Sequence, residues 1–224
     1  GAPDRLWSEL MGWLEIPHEG SLVPAIEGAT VETARFFPNV TLNYARALLD
    51  GPGDGVVITA RREDGRRIDV TRAQLRHRVG ITAADLVAMG VRLGDRVVAV
   101  VTNQAEAMIA GLAAASLGAT WSSVAPDLAV DAVLQRFAPL EPTTLVCSSS
   151  YRYSGAERPL GAHVAAILEQ LPSVKGVLQL DNDAEMSGDY TLASMVTGAE
   201  PEPVPPTAVP FDHPLFILFS SGTT

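Results

Sequence analysis

Phe211-Asp212-His213-Pro214-Leu215-Phe216-Ile217-Leu218-Phe219 runs directly into Ser220-Ser221-Gly222-Thr223-Thr224. Five consecutive apolar residues, Leu215 to Phe219, predict a buried strand whose entry is fixed by Pro214. That strand empties into five small residues, four hydroxylic and one glycine. With so little side-chain bulk, such a loop can curl its backbone N–H groups and hydroxyls around an anion. Ser220, Ser221, Gly222, Thr223 and Thr224 are therefore candidate phosphate-binding residues. A G-x-x-x-x-G-K-[ST] loop is absent from the sequence. By themselves the same residues read more readily as a flexible tail; the strand in front of them reverses that and favours the cradle.

Upstream, apolar runs alternate with helical spacing. Arg96–Val101, Ala119–Val124, Thr143–Ser148 and Lys175–Leu180 read as strands rich in branched residues. Between them lie helices over Ala105–Leu117, from a cap at Asp127 through Val130, Val133, Leu134 and Phe137, and near Gly161–Leu171. Gly111 permits its helix to approach the sheet closely. This order predicts an α/β fold, a mostly parallel sheet covered by helices on both faces.

The first part of the chain is expected to be different in kind. Trp7, Leu10, Met11 and Leu14 form one apolar stripe on a short helix. Thr41 is the expected cap of a second helix carrying Ala45, Leu48 and Leu49, which Gly51-Pro52-Gly53 ends. Gly55–Ala60 and Arg67–Val70 pair as a hairpin across Asp64-Gly65. Thr71 then caps a long helix with Leu75, Val79, Thr82, Leu86 and Met89 on one face, closed at Gly90. The chain thus divides into an N-terminal helical segment, 1–54, and an α/β subdomain, 55–224. Near the end, 181–189 reads as an acidic surface loop, 190–197 as a short helix, and Pro201–Pro210 as an extended connector.

Composition excludes several function classes. Hydrophobic residues make up 47% and charged residues 19% of 224, a globular balance. With 16 basic against 26 acidic residues the net charge is −10, which disfavours a nucleic-acid partner. Arg61, Arg62, Arg66 and Arg67 are interleaved with Glu63, Asp64 and Asp69 and read as a solvated hairpin. The single cysteine, Cys147, forms no internal disulfide, fits a reducing compartment, and reads as buried and inert. Gly1-Ala2-Pro3-Asp4-Arg5 opens no signal peptide and no apolar run reaches membrane length, so a cytoplasmic protein is expected. His18, His77, His163 and His213 carry no catalytic signature, and no metal-ligand cluster is visible.

Asp212-His213-Pro214-Leu215-Phe216-Ile217-Leu218-Phe219-Ser220-Ser221-Gly222-Thr223-Thr224 resembles the first half of the signature loop of the adenylate-forming superfamily, which holds the phosphates of ATP. Phe37-Pro38-x-x-Thr41-Leu42-Asn43-Tyr44-Ala45 is similar to the N-terminal stretch of acetyl- and acetoacetyl-CoA synthetases. Gly118-Ala119-Thr120-Trp121-Ser122-Ser123-Val124-Ala125-Pro126-Asp127, then Val133-Leu134-x-Arg136-Phe137 and Glu141-Pro142, resembles the acetoacetyl-CoA synthetases specifically. On its residues alone, Trp121 reads as a core aromatic.

The resemblance implies the N-terminal part of the large domain of such an enzyme, with the loop continuing past Thr224 and no activity expected of these residues alone. It implies a ligase for lipid metabolism that forms an acyl-adenylate from ATP and acetoacetate, with Mg²⁺, and transfers the acyl group to coenzyme A. Its partners are then small molecules and the remainder of the same chain. A synthetase for acetate or propionate, or a non-catalytic nucleotide-binding module, are the alternatives. No catalytic residue is assigned within these residues. Tyr151-Arg152-Tyr153-Ser154-Gly155 resembles the subfamily's Y-x-Y-N-G-K, with Ser154 for Asn and Ala156 for Lys. In related synthetases this region meets the 3′-phosphate of coenzyme A, which makes Arg152, Gly155 and Arg158 the candidates. Either arginine can bind phosphate or face water.

Overall fold

The structure, a computed structural model, describes residues 2–28, 30, 32–62, 65–180 and 202–220. In chain order come α1 (Ala2–Leu14), β1 (His18–Gly20), β2 (Ile26–Glu27), β3 (Arg35–Phe36), β4 (Val40–Leu42) and α2 (Tyr44–Leu49). Next are β5 (Val56–Arg61), β6 (Arg67–Thr71), α3 (Arg72–Ala88), β7 (Arg96–Val100), α4 (Ala105–Ser116) and β8 (Thr120–Val124). There follow α5 (Val130–Phe137), β9 (Thr144–Ser148), β10 (Ser150–Tyr153), β11 (Ala156–Pro159), α6 (Gly161–Leu168), β12 (Gly176–Leu180) and β13 (Val209–Pro210).

Four strands form one parallel sheet in the order β12-β9-β7-β8. Residues Val97 to Val100 are fully buried, as befits a central strand covered on both faces. Successive side chains of a strand point to opposite faces, and the two cores divide accordingly. Val97, Ala99, Trp121, Val146 and Leu178 join α2, α3 and α4 on one face. On the other, Val98, Val100, Leu145 and Cys147 meet Val133 and Phe137 of α5 and Val164 and Ile167 of α6. Burying each valine contributes about 1.5–3 kcal/mol. The expected α/β class, with helices on both faces, is borne out.

Gly111 does what its place in an alanine-rich helix suggested. A Cβ there would lie 3.4 Å from the indole of Trp121, so α4 rests directly on that ring. Burial pushes the Cys147 thiol up to about 11, in keeping with an inert core residue.

Helix starts required correction at two places. Thr41 lies in β4, and Asn43 caps α2 by accepting from the N–H of Arg46 at 3.1 Å. Asp127 sits in a turn, while α5 begins after Ala129 without a side-chain cap. Apolar spacing locates a helix but does not choose among neighbouring polar residues for its cap. Thr71 does cap α3, reciprocally with Gln74.

The hairpin β5–β6 forms in the expected antiparallel pairing, but it is not simply solvated. Arg62 packs against α4, its Nη2 3.9 Å from a Glu106 oxygen, with both side chains largely buried. Arg78 on α3 is held below the usual guanidinium range by burial, which the charge of Glu106 partly offsets.

The first 54 residues carry four short strands besides α1 and α2. β4 is central to a small sheet of order β1-β4-β13, so the start of the chain pairs with residues near its end. Met11, Ala25, Phe37 and Val40 form a satellite core there. Along α1 the stripe divides: Met11 is buried, Trp7 makes an edge contact with Phe36 at 5.4 Å, and Leu14 is exposed.

Candidate functional site

The chain returns to the sheet through 202–208, an extended stretch without regular secondary structure. Asn43, itself buried, fastens it. Its Nδ2 donates to the carbonyls of Ala115 and Ser116 at 3.1 Å and to that of Thr207 at 2.8 Å. The N–H of Thr207 donates in turn to the Ser116 carbonyl at 2.7 Å. Further on, His213 holds the carbonyl of Gly118 through Nε2 at 2.8 Å, and Arg35 meets Asp212 at 3.6 Å. His213 is thus a turn residue, as the sequence suggests.

Residues 215–217 then lie alongside β8. The N–H of Trp121 donates to Leu215, that of Ile217 donates to Trp121, and Ser122 Oγ donates to the Ile217 carbonyl at 2.8 Å. A parallel bridge joins Trp121 to Phe216. The expected buried strand is corrected here. It is an edge segment with a single bridge, and Phe216, Leu218 (83% exposed) and Phe219 face outward. At the sheet margin only one side is paired and one face covered, so an apolar run does not by itself mean burial.

Direction is what matters for chemistry. Because the segment runs parallel to β8, Ser220 emerges at the carboxyl edge of the parallel sheet, where ligands of open α/β sheets bind. Ser220 is exposed. Ser221, Gly222, Thr223 and Thr224 lie outside the described residues, as do the acidic stretch 181–189 and the segment 190–197. At the same edge, Gln104 after β7 donates from Nε2 to Ser148 Oγ, at the end of β9, at 3.3 Å. The strand order reverses between these two strands.

From the carboxyl end of β9 rises the hairpin β10–β11, which carries Arg152, Gly155 and Arg158. Its turn holds Ser154 at φ 53° and Gly155 at φ 80°, the left-handed pair of a tight hairpin. Asn tolerates the first of these positions better than Ser does, which explains the residue seen in the resembled motif. Tyr151 pairs with Arg158 and Arg152 with Glu157, so the two arginines lie on opposite faces of the ribbon. Arg158 stacks over Tyr153 at 5.8 Å. Arg152 shares its face with Glu157, which accepts from Ser150 at 2.7 Å. The structure therefore does not bring both arginines to one phosphate.

Two residues of this region were not singled out by sequence. Asn43 stands two residues past Thr41, and Asn immediately before an apolar helix is the stronger cap signal. Arg136 was part of a resembled motif without a role. It lies half-buried with its guanidinium over Phe219, next to Ser220.

No described helix is long and apolar enough to cross a membrane. Among the described residues no group of three or more His, Cys, Asp or Glu could hold a metal ion.

Residues 46–224 match the family of AMP-binding enzymes. The acetoacetyl-coenzyme A synthetase of Rhizobium meliloti is 33% identical over 223 residues, covering 97% of this chain and 34% of the relative. That of Rattus norvegicus is 37% identical over 207 residues, with 86% of this chain and 31% of the relative covered. Among solved structures, acetoacetyl-CoA synthetase from Streptomyces lividans superposes with a TM-score of 0.89 at 36% identity. The match covers all of this chain and 35% of that one. The chain thus spans about a third of the length of the relatives it matches.

Proposed function

The chain belongs to the family of AMP-binding enzymes, and on that premise we propose that it is part of an ATP-dependent acid–thiol ligase acting on acetoacetate. A carboxylate is a poor electrophile until one of its oxygens becomes a good leaving group. Attack of the acid on the α-phosphate of ATP gives an acyl-adenylate and releases pyrophosphate. The thiol of coenzyme A then forms the thioester and displaces AMP.

The observation that carries this reading is the delivery of Ser220 to the carboxyl edge of the parallel sheet by a segment hydrogen-bonded to β8. There, backbone amides and the hydroxyls of Ser220, Ser221, Thr223 and Thr224 orient the phosphates, with Gly222 leaving room for close approach. A magnesium ion would travel with those phosphates. Coenzyme A is assigned to the β10–β11 hairpin, with Arg158 favoured over Arg152 because Glu157 faces the latter.

We keep 1–54 as an N-terminal segment and 55–224 as the α/β subdomain, since the latter contains every strand of the parallel sheet. The pairing of β4 with β13 holds the two together. A cytoplasmic location is part of the same reading, and rests on the single, buried cysteine.

The test is acid-dependent exchange of pyrophosphate into ATP by the full-length protein, with acetoacetate, acetate and propionate compared. Fastest exchange with acetoacetate is expected. A preference for acetate or propionate would replace the acid; no exchange with any acid, and no ATP binding, would overturn the ligase reading.

A further inference from the structure

Tyr153 ends the first strand of the β10–β11 ribbon, next to its turn, and 59% of it is exposed. A hairpin gains stability where large side chains face one another across its strands. Tyr153 faces Ala156, whose single methyl group gives the ring almost nothing to rest on. The pairing of the hairpin therefore makes little use of this ring.

The register shows which way the ring is turned. Tyr151, Tyr153, Ala156 and Arg158 share one face of the ribbon; Ser150, Arg152, Glu157 and Pro159 share the other. At the base of the ribbon Tyr151 packs against the core that holds Leu145, Leu160 and Val164. The face it begins is thus the one turned toward the body of the protein, beyond the carboxyl end of β9. Arg158 and Tyr153 continue that face past the core, with the Arg158 Cζ 5.8 Å from the ring centroid. An open aromatic ring with a cation beside it suits a nucleotide. Every base has a flat π-face to lay on such a ring, and a guanidinium meets the phosphate. On the opposite face Glu157 would repel that phosphate.

We propose that Tyr153 is the base-binding residue for coenzyme A, its ring carrying the adenine while Arg158, on the same face, meets the 3′-phosphate. This rests on the placement of coenzyme A at the hairpin given above. A ring on a paired strand has only two side-chain torsions to fix, so little freedom is lost when the base arrives.

Michaelis constants of the full-length protein for coenzyme A, dephospho-coenzyme A and 4′-phosphopantetheine test it. Dephospho-coenzyme A keeps the adenine without the 3′-phosphate, and phosphopantetheine lacks the adenosine altogether. Tyr153→Ala is expected to raise the constants for coenzyme A and dephospho-coenzyme A alike, by about tenfold, and to leave phosphopantetheine within about twofold. Tyr153→Phe, which keeps the ring, should match the wild type. Preference for coenzyme A over dephospho-coenzyme A should survive in Tyr153→Ala, because Arg158 stays in register; a collapsed hairpin would lose it. No rise, an equal rise for phosphopantetheine, loss of that preference, or a Tyr153→Phe variant as impaired as Tyr153→Ala overturns the assignment. Should Tyr153→Ala fail to fold, Tyr153→Trp decides. Adenosine 3′,5′-bisphosphate must quench the added tryptophan emission and phosphopantetheine must not; any other pattern overturns the proposal. Wild-type protein that discriminates among the thiols while Tyr153→Ala behaves identically removes this assignment alone. Wild-type protein that uses all the thiols equally removes the hairpin as the coenzyme A site, and one that forms no thioester removes the ligase reading; Tyr153 falls with either.

Discussion

Asn43 and Thr207 stand 164 positions apart in the chain and are joined by a hydrogen bond of 2.8 Å from the amide of one to the carbonyl of the other. The same amide reaches Ala115 and Ser116, so one buried side chain ties the start of α2, the end of α4 and the returning connector. Asn43→Ala should cost roughly 2–4 kcal/mol, since buried carbonyls lose their donor and α2 its cap. Asn43→Asp should be worse at neutral pH, because it keeps the cap and turns a carboxylate toward carbonyl oxygens. Urea denaturation of the full-length protein measures the first effect, and faster hydrogen exchange at the Thr207 amide locates it. A neutral Asn43→Asp would refute the clamp.

Gly111 and Trp121 make a graded packing test. Alanine at 111 places a methyl at ordinary contact, 3.4 Å from the ring, and gains helix propensity of up to about 1 kcal/mol. It should be neutral or stabilising. Gly111→Leu should destabilise by about 1–3 kcal/mol through overpacking. Thermal melts of the pair should move in opposite directions or, at the least, differ in this order.

Cys147 provides a pH-dependent measurement. Burial raises its thiol to about 11, above the value of an unfolded cysteine, so the native state holds its proton longer. The stabilisation this represents is complete below the unfolded value near 8.5 and is lost as pH rises toward 11. Alkylation of the native protein by iodoacetamide should be slow at pH 8 and accelerate only above about pH 10. Rapid labelling at pH 8 without unfolding would place the thiol outside the core.

Thr223→Val and Thr224→Val should slow adenylate formation in the full-length protein while sparing its stability. Each removes a hydroxyl that the proposed function gives to phosphate, a charge-assisted bond of about 1.5–3 kcal/mol. Pyrophosphate exchange rates unchanged in both would count against the cradle.

For coenzyme A, the ribbon faces separate the candidates. Arg158→Ala should raise the Michaelis constant for coenzyme A and leave pyrophosphate exchange alone; Arg152→Ala, across from Glu157, should do little. Dephospho-coenzyme A should respond much less to Arg158→Ala, because general damage to the hairpin would penalise both thiols alike. Equal penalties would remove Arg158 from the phosphate.

Periodicity made the parallel sheet legible in advance. The runs at Arg96, Thr120, Thr144 and Gly176 are short, branched and separated by helical spacing, and a chain with that local pattern has few ways to bury it. The loop after Phe219 stands out in the sequence as five small residues, and all but Ser220 lie outside the described residues. Both corrected helix starts lie two residues past the expected cap, since apolar spacing locates a helix without fixing its first turn. What chose Asn43 was a set of carbonyls from α4 and the connector, which no local window contains. The exposure of 216, 218 and 219 has a related reason: hydrophobicity is a property of the residue, while burial depends on what pairs with the far edge. Arg152 and Arg158 looked equivalent as letters, and only the register of β10 against β11 sent them to opposite faces. Arg136 gained its place from the meeting of α5 with the terminal segment. Local spacing determined which elements form. Long-range hydrogen bonding and packing, between residues as far as 164 positions apart, decided which side chains stand beside the candidate site.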